Sequence, residues 1–285
     1  MLLNFKDCYL YMIILFIFIF IFIKFDHPTY YNDDPNNEFT NTYNENIYSI
    51  LKDNSSINLS ITVPRPNIIF QTYHNKNKIP QYVYDTMSKY APNYQHIILD
   101  DTEAIIFLNT YFQIEVVDTF RYLKNGAHKA DLLRYCLLYI YGGIYLDIKV
   151  LLLTDIDNIF MDKTLFYSCL GSSTTHIHQA ILASPPHNIL FLSLIKFCVL
   201  HKADATNYYY IFIKDLYKKL LNDLNDNLNL GLNNGRLGNY YLFEELCNDK
   251  KYNNKCTKKD HYGLCCNIFD NGKQIFIGRD SEYPY

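Results

Sequence analysis

The chain has no tryptophan, no Cys-x-x-Cys pair, no glycine-rich loop after its early apolar runs, and no excess of basic charge. Most of these absences remove a class of function. A net charge of -3 on 285 residues leaves no electrostatic footprint for nucleic acid, so no nucleic-acid partner is expected. The cysteines lack the close pairs of common structural zinc sites. Cys136 lies among leucines as a core residue, whereas Cys247, Cys256, Cys265 and Cys266 gather near the end with His261. In an oxidising compartment one or two disulfides belong there; in a reducing one these are ordinary thiols. Without a glycine-rich phosphate loop, a phosphotransferase or phosphohydrolase is disfavoured. The abundance of Tyr, Phe, Asn and Ile is a compositional bias and points to no function by itself.

One long stretch is present that carries no charge: CYLYMIILFIFIFIFI, from Cys8 to Ile23. As a helix it would rise about 24 Å, and flanking Lys6 and Lys24 can snorkel to complete a hydrocarbon core of about 30 Å. The next residues, KFDHPTYY, offer no small-x-small cleavage site. Residues 1–25 therefore read as a single-pass membrane anchor. Residues 26–60 are polar, broken by proline, and read as a stem or linker. They hold two glycosylation sequons, at Asn54 and Asn58. Flanking charges nearly balance, so orientation leans on those sequons, which favour a Golgi- or ER-type lumenal body. Residues 61–285 read as the globular domain.

Within that domain apolar runs alternate with helical patterns. Residues 66–73, 95–101 and 142–150 read as strands; 80–91, 102–112 and 126–141 read as helices, with Thr102 as a cap candidate. Such alternation implies an α/β fold with a mostly parallel central sheet flanked by helices. Ligands in such sheets bind beyond the carboxyl ends of the strands. Asp100, Asp101 and Asp147 all stand at such ends.

The densest constellation runs from 126 to 150, GAHKADLLRYCLLYIYGGIYLDIKV. On the helix, Asp131 and Arg134 are three apart and share a face. Taken alone they read as a simple intrahelical ion pair. Leu132, Leu133, Leu137 and Leu138 should pack on the sheet. Gly142 and Gly143 let the chain leave the helix through a left-handed turn and enter the strand at once. The strand then reaches Asp147 and, two residues later, Lys149.

This string resembles the signature of the glycosyltransferases that carry a sugar-binding region with a DXD motif. That family includes the yeast initiating α-1,6-mannosyltransferase and α-1,4-galactosyltransferases. Its pattern is roughly A-x-K-[AS]-D, two apolar residues, R-Y, an apolar run, then Y-G-G-apolar-Y-apolar-D-x-D. Lys129, Ala130, Asp131, Arg134, Tyr135, Tyr141, Gly142, Gly143, Tyr145 and Asp147 fit in order. PNIIFQTYHN resembles the family's first strand, and AILASPPHNILF resembles a later segment, so the likeness covers about residues 64–195. The late His and Trp of the family have no clear equivalent; His261 and Arg279 are the candidates to replace them.

The resemblance implies a GT-A-like nucleotide-sugar-binding fold and hexosyl transfer from a UDP- or GDP-hexose to a hydroxyl of a glycan or glycoconjugate, with retention. It implies donor-binding roles for Asp131, Arg134, Tyr145, Gln71, Thr72 and Gly143. Gln179, His178 and Arg236 are candidates for the acceptor side, although His176 and His178 also read as plain polar surface. Asp147 faces the donor and its Mn²⁺ or Mg²⁺. The second acid of the motif, however, is Lys149, which cannot ligate a metal while protonated. Three readings follow. Asp147 holds the metal with help from Asp155, Asp157, Asp100 or Asp101; or the Lys149 ammonium itself neutralises the leaving diphosphate; or Lys149, on the same strand face as Asp147, pairs with it in a catalytically silent nucleotide-sugar or glycan-binding protein.

Overall fold

The computed structural model describes residues 48–52, 63–172, 176–224, 227–247 and 266–278. All belong to one compact unit, residues 43–285. The expected anchor, most of the expected stem, and Cys256, Cys265, His261 and Arg279 lie outside the described residues. Among the described residues no helix is long and apolar enough to cross a membrane. Residues 48–52 fall in the segment read as a stem, yet Ile50 and Leu51 are buried. Leu51 bridges to Phe112, and the Gln113 N–H donates to the Ile50 carbonyl at 2.8 Å. Two neighbouring apolar side chains are enough to draw this piece into the core.

The first half of the domain alternates as expected. It runs β1 (Ile68–Thr72), α1 (Gln81–Tyr90), β2 (Gln95–Leu99), α2 (Asp101–Tyr111), α3 (Ile114–Tyr122), α4 (Gly126–Tyr141) and β3 (Gly143–Leu146). Then come β4 (Leu151–Leu152), β5 (Phe166–Leu170), β6 (Ile181–Ser184), α5 (Ile189–Leu200), α6 (Ile211–Leu224), β7 (Gly231–Asn234), β8 (Asn239–Cys247), β9 (Cys266–Asp270) and β10 (Lys273–Ile277). The strands form one sheet in the order β2-β1-β3-β6-β5-β8-β9-β10-β4, with β7 beside β8.

The sheet is mixed, and this corrects the expectation of a mostly parallel one. Only β1/β2, β1/β3 and β5/β8 are parallel; the other pairs are antiparallel. The cause is local. β9 and β10 are joined by Asn271 and Gly272, both at positive φ, a turn too short for anything but an antiparallel return. The βα alternation ends at α5 and α6, and the remaining strands form a meander.

Two details place the site. Helix α2 is capped two residues earlier than the Thr102 candidate: Asp100 accepts from the Thr102 and Glu103 N–H groups at 2.9 Å, and Glu103 returns the bond to Asp100 N–H. Helix α4 is capped by Asn125 and ends at Gly142, φ 65°. There a Cβ would lie 2.5 Å from Pro186 N, and at Gly143, φ 101°, 2.8 Å from the Ile68 carbonyl. Both positions need glycine for conformation and for space. The four leucines of α4 are buried, as expected. Along β3 the side chains alternate, with Tyr145 in the core beneath α4 and Ile144 and Leu146 in the core on the other face.

Candidate active site

Strand β3 stops at Leu146, and Asp147–Val150 form a turn closed by Val150 N–H to the Asp147 carbonyl at 2.9 Å. Lys149 therefore occupies the third position of a turn, where the rule that residues two apart share a strand face does not apply.

Arg134 organises what surrounds Asp147. Its Nη2 lies 3.1 Å from Asp147 Oδ1 and 3.2 Å from Asp131 Oδ1. Nε donates to the Ala130 carbonyl at 3.1 Å, and Nη1 donates to the carbonyl of Gln179. The guanidinium centre stacks 4.6 Å above the Tyr145 ring. The expected intrahelical pair is thus real, but it is buried and extended to a second acid. The side chains of Arg134 and Asp131 are 4% and 8% exposed, whereas that of Asp147 is 36% exposed. Asp147 is the member of the triad that faces outward.

The electrostatics follow from that burial. Desolvation works against the guanidinium, but Asp147, Tyr145 and Asp131 outweigh it and raise the Arg134 pKa above its ordinary value. Burial pushes Asp131 up to about 6; Asp147 adds to this, and Arg134 and His128 oppose it.

Backbone atoms lock the same corner. Asp147 N–H donates to the Ala180 carbonyl at 2.8 Å. Gln71, fully buried, donates from Nε2 to the Asp147 carbonyl at 3.3 Å, and its Oε1 meets His96 Nε2 at 2.7 Å. Burial lowers His96 to about 4, so it is neutral at pH 7 and donates to Gln71. Thr72 Oγ1 and the Tyr145 hydroxyl are 2.9 Å apart. Gln71, Thr72 and Tyr145 therefore support Asp147 and Arg134 from beneath. Gly143 stands at the opposite end of β3, roughly 13 Å from Asp147 at strand rise, where its task is to let β3 approach β1.

Gln179, a candidate for the acceptor side, lies against Arg134 and Tyr135. Its carbonyl receives Arg134, its Oε1 accepts from the Tyr135 hydroxyl, and its Nε2 is buried without a hydrogen-bond partner. Beside it, His178 Nδ1 lies 3.0 Å from Oε1 of Glu245, a carboxylate almost entirely buried on β8. His178 is thus no plain surface residue. Glu245 was missed from the sequence because nothing in β8 marks its nearness to His178. Arg236 is employed elsewhere: Nε donates to the Asp223 carbonyl at 3.1 Å and Nη2 to that of Asn222 at 2.7 Å, closing the end of α6.

The other acids do not gather around Asp147. Asp100 caps α2, Asp101 pairs with Lys129 at 2.5 Å, and Asp157 accepts from the Tyr94 hydroxyl at 2.7 Å. Among the described residues the one group of three possible metal ligands is Glu245, Cys247 and Cys266. Its two cysteines form a disulfide across β8 and β9, which takes both sulfurs out of the ligand set.

Against this geometry the similarity to known proteins can be placed. Residues 78–166 match the family described as glycosyltransferase sugar-binding region containing DXD motif. The match includes Asp131, Arg134, Asp147 and Lys149. Over 71 residues it is 41% identical to the initiation-specific α-1,6-mannosyltransferase of Saccharomyces cerevisiae, covering 24% of this chain and 15% of that protein. Over 230 residues it is 26% identical to an uncharacterised glycosyltransferase, L373, of Acanthamoeba polyphaga mimivirus, covering 74% and 91%. Over 139 residues it is 30% identical to the mannosyl phosphorylinositol ceramide synthase CSH1 of S. cerevisiae, covering 46% and 34%. The aligned part thus spans about a third or less of the two yeast relatives.

Proposed function

We propose that this chain is a GT-A-like glycosyltransferase that moves a hexose from a UDP- or GDP-sugar to a hydroxyl of a glycan or glycoconjugate, with retention of configuration. The observation that carries this reading is the buried Arg134 joining Asp131 to Asp147 at the carboxyl end of β3, inside the segment that matches the family. Breaking the bond from an anomeric carbon to a diphosphate builds positive character on the sugar and negative charge on the leaving group. Asp147, the exposed acid, faces the donor. Asp131 accepts hydrogen bonds from sugar hydroxyls when ionised. Arg134 spends its donors on Asp131, Asp147 and backbone carbonyls, so it acts by positioning the two acids. Gln179 Nε2, a buried donor without a partner, is the group best placed to meet the acceptor side, with His178 next to it.

A divalent metal fits the donor set as a one-carboxylate guest: Mg²⁺ commonly takes one or two carboxylates and completes its shell with phosphate and water. Asp147 would hold it, and its chemistry would be to neutralise the leaving diphosphate. Lys149, two residues on, supplies a second positive charge at the same turn. The disulfide between Cys247 and Cys266 supports an oxidising, lumenal setting, and the uncharged run at 8–23 supports a membrane anchor with a stem behind it.

The rival reading is a catalytically silent nucleotide-sugar or glycan-binding protein. It is favoured by Lys149 in place of the motif's second acid and by the absence, among the described residues, of a three-ligand cluster at Asp147. The test is hydrolysis of UDP- and GDP-sugars by the full chain, with Mn²⁺ and with EDTA, beside Asp147→Asn. Turnover of one donor, lost in the variant, supports the transferase and names the donor. Donor binding without turnover, even with oligosaccharide acceptors present, supports the silent protein.

A further inference from the structure

The loop between α5 and α6 presents three consecutive tyrosines to solvent. Tyr208, Tyr209 and Tyr210 are 39%, 51% and 52% exposed. Leu200, the last residue of α5, is 68% exposed, and Tyr122, the last of α3, is 46% exposed. These side chains form one neighbourhood. Lys202 Nζ lies 5.9 Å from the centre of the Tyr122 ring, and Lys214 Nζ lies 5.1 Å from that of Tyr208. The Tyr209 and Tyr210 rings meet edge to face at 5.1 Å. The acids nearby are already engaged: Asp204 with His201 at 2.8 Å, and Asp118 with Arg121 at 3.2 Å. Lys124 adds a further positive charge beside Tyr122.

We infer that this face is a docking surface for an anionic lipid bilayer. Tyrosine with lysine is the pairing that suits a membrane interface, because the ring seats at headgroup level while the ammonium meets anionic headgroups. An exposed aliphatic such as Leu200 gains from acyl chains and gains little from a sugar, which argues against a glycan shelf. The turn Tyr48–Ile50 packs against α5, the helix that carries Leu200. Between the uncharged run ending at Ile23 and Tyr48 lie 24 residues, which reach at most about 80 Å. With the proposed anchor at residues 8–23, a surface tethered within that reach needs only modest affinity of its own.

The position has a consequence for the site. His128 Nε2 lies 2.9 Å from the Tyr209 carbonyl, and Asp131 follows His128 by less than one turn of α4. A docked face brings the donor pocket to the bilayer surface, where an acceptor carried on a lipid would be presented. This last step rests on the transferase reading; the docking itself does not.

The chain lacks tryptophan, so a single Tyr209→Trp change supplies the only indole. The full-length variant is reconstituted in vesicles of phosphatidylcholine and phosphatidylserine, with and without lipid brominated high on its acyl chain. Brominated lipid should quench the emission about twofold or more, and removing phosphatidylserine or adding Leu200→Ser and Tyr210→Ser should reduce that quenching. Met161→Trp, exposed on the far side of the sheet, should not respond. Emission at position 209 that brominated lipid leaves unchanged overturns the docking surface, whatever an indole placed in the apolar run by Tyr11→Trp reports. A response at 209 to free oligosaccharide, with no quenching in vesicles, makes the patch a glycan shelf and overturns it equally. Donor hydrolysis of the same variant is measured in parallel, so a failed transferase reading and a failed docking surface stay distinguishable.

Discussion

Nη2 of Arg134 stands 3.1 Å from Oδ1 of Asp147, one residue inside a helix and the other just beyond the end of a strand. The same nitrogen serves Asp131, so one cation holds two carboxylates in register. Arg134→Met leaves those carboxylates facing each other without a counter-charge, at a cost of about 3–5 kcal/mol in stability. Arg134→Lys keeps the charge but loses the planar fork, and should retain part of that stability while lowering donor turnover about a hundredfold. Urea denaturation and donor hydrolysis, measured on both variants, check the pair.

Asp147→Asn should behave differently. Its side chain is the exposed member of the triad and Asp131 still neutralises Arg134, so stability should fall by only about 1–2 kcal/mol, less than for Arg134→Met, while donor hydrolysis falls by about 10²–10³. Equal losses in stability and turnover would assign Asp147 to the framework.

Lys149 can be returned to the acid of the family pattern. Lys149→Asp gives a hard cation two carboxylates in place of one, so Mn²⁺ affinity in the presence of a nucleoside diphosphate should rise about tenfold or more. Calorimetric titration measures it directly. No gain would mean that the Asp147–Val150 turn points position 149 away from the donor.

Activity should depend on pH through Asp131. Its folded pKa is raised to about 6, chiefly by burial. The ionised form, needed to accept from sugar hydroxyls, is therefore lost as pH falls through about 6, and turnover should show an acid limb there. Asp131→Asn should lower the rate and flatten that limb. On stability the sign is opposite: a raised carboxyl pKa favours folding below the unfolded value near 4, and that advantage is lost as pH rises through about 6.

Reducing the Cys247–Cys266 bond frees a separation of 19 residues. The chain-entropy model gives a loss of about 3 kcal/mol. Thermal unfolding with and without dithiothreitol, beside the Cys247→Ser, Cys266→Ser double variant, measures it; donor binding should survive because the bond joins β8 to β9, away from β3.

The unit from Asn125 to Leu146 was legible in the chain because its determinants are local. An Asn cap, a helical run of leucines and two glycines that admit positive φ define α4 and β3 with no help from distant residues. Asp131 and Arg134 share a face for the same reason. The turn at Asp147–Val150 was less legible, since an apolar Ile148 and Val150 continue the look of a strand. Beyond that, contact across the fold decided. Arg134 reaches the carbonyl of Gln179, His178 reaches Glu245, and Arg236 is taken up by the end of α6. The antiparallel placing of β6 between β3 and β5, and the antiparallel strands that follow α6, made the sheet mixed. Local pattern specified which residues carry chemistry and which helix and strand bear them. Only the folded chain could assign their partners and their exposure, because those depend on side chains and carbonyls far apart in sequence that meet when the sheet closes.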